Sequence, residues 1–218
     1  GTIEVANIGS GTVGVSGNTA IGNTSTTSMT LDGTIYKTTG SQVYTATGGD
    51  NINITNASNA AFTTTNTAIT FATANIELSN GVNLSLDSGG GAGNITVVAI
   101  DGHSSETVTI DAGTGTTSVG AIGAGTEIGA VSIGSTGNGG ITLNGAITTT
   151  GIIDLDGPIT LAGATTLDSS GGNANIFFRH AVDGGQTLTV SSGSGAVDFA
   201  GIIGGTTALG DTTINAAG

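Results

Sequence analysis

The sequence predicts an all-β fold in which short parallel strands stack into a β-solenoid. Three observations predict it. The chain repeats itself internally, its apolar residues alternate with small polar ones, and Gly-Gly, Asn-Gly and Asp-Gly pairs separate the alternating runs. Each repeat of such an array covers the apolar face of its neighbour, so the fold grows in length and not in core width.

The internal repeat relates residues 84–134 to residues 165–215. The phrase Leu86-Asp87-Ser88-Gly89 returns 81 residues later as Leu167-Asp168-Ser169-Ser170, and residues 108–110 and 131–134 return as 188–190 and 212–215. Similarity at a nearly constant offset predicts stacked structural units and argues against a compact enzyme with an active-site pocket.

Seven runs with period-2 alternation predict half-buried strands along the chain. Every second side chain of such a run faces the core. In chain order the runs are residues 2–5, 52–55, 74–78, 82–86, 141–143, 159–161 and 196–199. The glycine pairs between them supply the backbone conformations that tight corners need.

The spacing of the strand centres predicts the coil length. Two series of strand centres advance by 17 to 21 residues at every step: Leu143, Leu161, Phe178, Phe199 and Ile147, Leu167, Leu188, Leu209. The prediction is therefore one continuous solenoid over residues 1–218, with roughly ten coils of about 17–21 residues. Residues 45–80 interrupt the repeat and are predicted to form an inserted coil or a protrusion.

The charge balance excludes several classes of partner. Lys37 and Arg179 are the only basic residues besides histidine, against fifteen acidic ones, and the net charge is −13. Nucleic acid and anionic membrane surfaces need clustered basic residues, so neither is expected as a partner. The chain has no cysteine for a disulfide or a thiolate metal site. No apolar run approaches membrane-spanning length, and membrane insertion is not expected.

Three phrases resemble the repeats of a known family. Residues 38–44, 184–190 and 199–210 are similar to the repeat regions of giant bacterial surface proteins of the filamentous-haemagglutinin, or β-strand-repeat adhesin, type. The resemblance covers residues 33–218 and lacks that family's secretion-signal domain. It implies a right-handed parallel β-helix, an extracellular location at the cell surface or in secreted form, and work as an adhesin or fibre.

The sequence contains no recognisable catalytic frame, and we expect no enzyme. His103 and His180 occupy different positions of the repeat, and no nucleophile elbow accompanies them. Arg179 and His180, with Asp183 nearby, form the densest polar cluster, which favours a corner cap or a surface ion pair over acid–base chemistry. Asp154 and Asp156 lie on one side of a strand, so a β-helix polysaccharide-degrading enzyme stays an alternative. No catalytic, cofactor-binding or metal residue is assigned.

Calcium is the only metal that the residue types suggest, since the available ligands are hard oxygens. Asp154, Asp168, Asp183, Asp198 and Asp211 recur at 13 to 15 residues, which does not match the coil length, and Gly48-Gly49-Asp50 is only a fragment of a calcium-roll motif.

The threonine runs at residues 63–65 and 148–150 suggest the hypothesis of an ice-binding surface. Such a surface needs a threonine at the same position in every coil. That regularity is not visible in the sequence.

The sequence therefore predicts an extracellular structural fibre or surface-adhesin segment that acts as a non-catalytic, elongated scaffold. Its expected partners are further copies or a covalent continuation at the solenoid ends, because exposed edge strands pair with other strands. The alternative is a glycan-binding adhesin module, with residues 45–80 as the contact for extracellular polysaccharide or another cell surface.

Overall fold

The computed structural model, which describes residues 1–56, 58–103, 105–134 and 139–217, confirms the all-β prediction. Twenty-four strands and no helix occur in these ranges. All strand pairs are parallel and stack into a β-solenoid of about nine turns, consistent with the right-handed parallel β-helix. Each coil passes through three strand positions, so the solenoid has three faces.

Face 1 contains the first and the last strand of the described chain. It consists of β1 (Thr2–Val5), β3 (Ser28–Leu31), β6 (Asn51–Ile54), β9 (Asn75–Leu78), the end of β11 (Ile95–Asp101), the end of β13 (Thr117–Ile122), β16 (Ile147–Thr148), β19 (Thr165–Asp168), β22 (Leu188–Gly193) and β24 (Thr212–Ala216).

Face 2 is a separate sheet of eight strands. It consists of β4 (Ile35–Lys37), β7 (Asn59–Thr63), β10 (Asn83–Asp87), β12 (Thr107–Asp111), β14 (Ala130–Gly134), β17 (Ile153–Asp156), β20 (Ile176–Phe178) and β23 (Val197–Phe199).

Face 3 is joined to face 1 through the two long strands. It consists of β2 (Thr19–Gly22), β5 (Gln42–Thr45), β8 (Ile69–Phe71), the first three residues of β11 and of β13, β15 (Ile141–Leu143), β18 (Ile159–Leu161) and β21 (Val182–Asp183).

The coils are longer and less regular than predicted. Paired residues lie from 18 positions apart, at Ile141 and Ile159, to 27 apart, at Gln42 and Ile69. Three predicted neighbours are confirmed, namely Leu143 with Leu161, Ile147 with Leu167 and Phe178 with Phe199. The step from Leu161 to Phe178 is wrong, because these residues lie on different faces and Phe178 pairs with Leu155. The alternating pattern is the same on all faces and does not reveal which face a strand occupies.

Both copies of the internal repeat form strands, but on different faces. Leu86 and Val108 lie on face 2, whereas their counterparts Leu167 and Leu188 lie on face 1. The repeat offset is therefore not a whole number of coils. The irregular region contains β6 to β9, and each of these strands pairs with its neighbours.

The core is a column of fully buried Ile, Val and Leu side chains with aromatic rings near its beginning. The rings of Tyr36 and Phe62 stack with centroids 4.4 Å apart, and those of Tyr44 and Phe71 stack at 4.7 Å. The Tyr36 hydroxyl accepts a hydrogen bond from the Gly33 N–H at 2.8 Å. Buried aromatic pairs of this kind add about 1 kcal/mol each beyond the area they bury.

Candidate functional site

The densest group of charged and aromatic side chains lies on face 2, near the end of β17 and β20. We call Asp154, Asp156, Phe177, Arg179 and His180 the face-2 cluster. Ile153 and Leu155 are buried, so the alternation of β17 directs both aspartates outward, as predicted. Asp154 lies beside Phe177 on the next coil.

The groups of this cluster bind one another. Arg179 Nε lies 2.7 Å from Asp154 Oδ1, and Arg179 Nη2 lies 2.7 Å from Asp154 Oδ2. The guanidinium carbon lies 5.2 Å from the centre of the Phe177 ring. His180 Nε2 lies 3.2 Å from Asp156 Oδ1. The hydrogen bonds that Arg179 donates to the Asp154 carboxylate raise the pKa of Arg179. Each aspartate thus binds a basic side chain from the next coil, which ties the two coils together.

Asp183 does not join Arg179 and His180, although it is close to them in sequence. It lies on face 3, where its Oδ1 accepts hydrogen bonds from the N–H groups of Thr206 at 2.7 Å and Thr207 at 3.0 Å. These bonds lower the pKa of the Asp183 carboxyl. The polar cluster predicted from the sequence is therefore divided between two faces.

The five regularly spaced aspartates do not form a ladder. Asp154 and Asp198 lie on face 2, Asp168 lies on face 1, Asp183 lies on face 3 and Asp211 precedes β24. Within the described ranges, no group of three or more His, Cys, Asp or Glu side chains is placed to hold a metal ion. Gly48 and Gly49 lie in the turn before β6.

The second histidine lies in a separate corner of the solenoid. The backbone N–H of His103 donates a hydrogen bond to Glu106 Oε2 at 2.6 Å. Glu106 is fully buried and also accepts a bond from the Gly81 N–H at 2.8 Å. His103 and His180 belong to different coils and different corners, and they do not share a site.

Face 2 also carries a shallow groove of about 350 Å³ next to the cluster. Its lining includes Thr107, Thr109, Ser132, Ile152 and Asp154. Asp154 therefore belongs to both features. The lining thus combines hydroxyl groups with the exposed apolar side chain of Ile152 and the carboxylate of Asp154.

One ordered surface feature was not predicted from the sequence. Outward-facing hydroxyl residues occupy the same position on five successive coils of face 3: Thr70, Thr96, Ser118, Thr142 and Thr160. The Thr runs singled out from the sequence lie elsewhere, since Thr64 and Thr149 are buried at corners. The recurring triplets Ile69-Thr70-Phe71, Ile95-Thr96-Val97 and Ile141-Thr142-Leu143 are the signal that identifies the row.

Comparisons with family models, curated proteins and solved structures return no match to this chain. The resemblance to filamentous-haemagglutinin repeats therefore stays a prediction. The described residues contain no helix of the length and apolarity that a membrane crossing requires. The fold class that the structure defines is a parallel β-solenoid.

Proposed function

We propose that this chain is a non-catalytic, elongated scaffold, a segment of an extracellular structural fibre or surface adhesin. Its length is extended at the solenoid ends, either by further chain or by another copy. The observation that carries this proposal is that the polar side chains mostly bind the neighbouring coil. Such bonds stiffen a rod and leave few groups that could converge on a substrate.

The asparagine side chains illustrate these links between coils. Asn18 Oδ1 accepts a hydrogen bond from the Ser41 N–H at 2.9 Å, and Asn94 Oδ1 accepts one from the Thr116 N–H at 2.9 Å. Asn173 Oδ1 does the same with the Ser194 N–H at 3.0 Å. Each bond joins residues 21 to 23 positions apart. The pattern recurs from early to late coils, as expected of a stiff rod.

The last strand supports extension at that end. β24 pairs with β22 on one side, its residues are all exposed, and Ile214 retains 47% of its accessible surface. Along its other edge the backbone N–H and C=O groups are available to a further parallel strand. An added coil would also cover Ile214 and continue the apolar column.

Negative-stain electron microscopy, with calcium and again with EDTA, tests the proposal. Uniform filaments with the width of one solenoid indicate assembly by copies, and isolated short rods indicate a spacer within a longer chain. Ile214→Asp should shorten any filaments, whereas Ile152→Asp, a change at an equally exposed residue of face 2, should not. Loss of polysaccharide viscosity on incubation with the protein would contradict a non-catalytic role.

The groove on face 2 favours a second candidate function, a glycan-binding adhesin module. Asp154 lines the groove, and Phe177 lies beside Asp154 on the next coil. Sites for small molecules combine aromatic side chains with a few polar groups that fix the orientation of the ligand. Saturable binding on a glycan array, lost in Thr109→Phe and kept in Thr166→Phe, would support it. Both threonines are exposed in mid-strand, but only Thr109 lines the groove.

A further inference from the structure

Face 3 differs from the other faces in its charge. Of fifteen acidic and two basic residues in the chain, only Asp183 lies in the strands of face 3. The outward-facing row across the eight strands is Ala20, Val43, Thr70, Thr96, Ser118, Thr142, Thr160 and Asp183. No side chain before Asp183 in this row is larger than valine. The first seven strands of face 3 thus form an uncharged strip along a strongly acidic rod.

Faces 1 and 2 carry carboxylates in neighbouring coils. Glu77 lies beside Asp101 on face 1, and Asp87 lies beside Asp111 on face 2. Two copies that met through either face would bring these like charges together, which is unfavourable. Contact through face 3 avoids this repulsion for seven of its eight strands. The distribution of charge therefore singles out one face for contact between two copies of the chain.

We propose that face 3 is a self-association surface through which two copies pair side by side and antiparallel. A two-fold axis at Ser118 places Thr96 of each copy opposite Thr142 of the other. The same axis places Thr70 opposite Thr160 and Asp183 opposite Val43. This is an isologous contact, in which one patch serves both copies. A parallel arrangement in register would instead place Asp183 opposite Asp183.

The side chains of the strip fit such a contact, and its size predicts a weak one. Seven strands overlap across this axis, and at about 4.8 Å apart and about 10 Å long they offer about 340 Å² per copy. This is less than a specific interface of standard size buries, so the dimer forms only at high protein concentration. Small side chains let two sheets approach to about 10 Å. Val98, which is 40% exposed beside this row, adds apolar area to the contact. The pairing does not involve the end strands, so it is independent of the proposed fibre function.

Sedimentation velocity over a concentration series tests the pairing. We expect a concentration-dependent dimer that strengthens at higher salt, because salt screens the repulsion between the acidic rods. Ser118→Asp brings two charges together at the two-fold axis and should weaken the dimer at least tenfold. Ser85→Asp is the matched control, since Ser85 is an outward-facing, half-buried serine on face 2, and it should leave the dimer unchanged.

Cysteine cross-linking tests the orientation in a chain that has no cysteine of its own. The sheets are about 10 Å apart, too far for a disulfide, so a bismaleimide cross-linker of about that span is used. An equal mixture of Thr96→Cys and Thr142→Cys should give the mixed cross-linked dimer, and neither variant alone should give a cross-linked dimer. Cross-linking of Thr96→Cys with itself would overturn the antiparallel arrangement.

A wild-type chain that stays monomeric at every concentration would overturn the pairing, and so would equal dimerisation of Ser118→Asp and Ser85→Asp. Adsorption of a monomeric rod to ice or to a crystalline polysaccharide through the hydroxyl row would also overturn it. Filaments that lose their length only with Ile214→Asp would support the fibre and leave the dimer result unchanged, so the two proposals fail separately.

Discussion

The carboxylate of Glu106 accepts a hydrogen bond from the backbone N–H of Gly81, 25 residues earlier and one coil away, at 2.8 Å. The N–H groups of His103 and Ser105 also donate to it, at 2.6 Å and 3.2 Å. Burial by itself would raise the pKa of this carboxyl, but the hydrogen bonds outweigh burial and lower the pKa to about 2. A buried charge of this kind joins two coils at a corner where the backbone would otherwise lack acceptors.

Glu106→Gln should destabilise the fold by about 2 kcal/mol at pH 7, because a neutral amide accepts these bonds less well and turns an NH2 group toward the donors. The folded-state pKa lies below the ordinary value, so the contribution is complete above about pH 4.5 and is lost as the pH falls towards 2. Urea unfolding at pH 7 and at pH 2.5 should show the difference between the two proteins shrinking. Glu4→Gln, at an exposed glutamate, is the control. Equal stability of Glu106→Gln and the wild type at pH 7 would contradict the prediction.

Thr117→Val should stabilise the solenoid by about 1 kcal/mol, because the buried Thr117 hydroxyl has no hydrogen-bond partner among the described residues. Valine has the same shape and suits a core position between Ile95 and Ile141. Thr165→Val is the matched control, since the equally buried Thr165 hydroxyl donates to the Gly163 carbonyl at 3.0 Å. That change should destabilise by a similar amount. Thermal unfolding midpoints that move in the same direction for both variants would rule out this account.

The sequence predicts the class of fold well because alternation and glycine corners are local properties. Leu143 and Leu161 belong to two short runs with the same pattern, and their pairing follows from the shortest coil of 18 residues. Corners elsewhere contain more residues, up to the 27-residue step between Gln42 and Ile69, and no local pattern marks which face comes next. Coil length and coil count therefore depend on contacts between coils, which a single sequence does not display.

The two copies of the internal repeat share the residues of a turn, but they lie on different faces of the solenoid. Asp87 Oδ1 accepts a hydrogen bond from the Gly89 N–H at 2.7 Å, and Asp168 Oδ1 accepts one from the Ser170 N–H at 2.9 Å. These turns follow strands of face 2 and face 1, respectively. Because the same turn serves either face, the internal repeat could not assign strands to faces or separate Asp183 from Arg179.

The two tyrosines should resist ionisation until the protein unfolds. Both side chains are fully buried, and burial raises the pKa of Tyr36 to about 12 and also raises that of Tyr44. In the unfolded chain tyrosine ionises near pH 10, so the stability from keeping both neutral is complete below pH 10 and is lost as the pH rises towards 12. Phenolate absorbance and far-ultraviolet circular dichroism should therefore change together above pH 10. In Tyr44→Phe the absorbance change should halve and still coincide with unfolding, whereas phenolate formation near pH 10 with intact circular dichroism would refute the prediction.

Gly120→Ala should destabilise the fold by about 3 kcal/mol, the upper range for an overpacked site. Gly120 lies where β13 passes from face 3 to face 1, and an added Cβ would lie 1.9 Å from the Val98 carbonyl oxygen of the preceding coil. The clash is with backbone, so neither coil can relieve it without breaking the parallel register that both faces share. Gly90→Ala is the control, because a Cβ there meets nothing within 4 Å. Thermal unfolding followed by circular dichroism should show a large drop for Gly120→Ala and almost none for Gly90→Ala. Equal midpoints would mean that the coils can move apart at this corner, and the stacking of β11 on β13 would then be looser than the shared register requires.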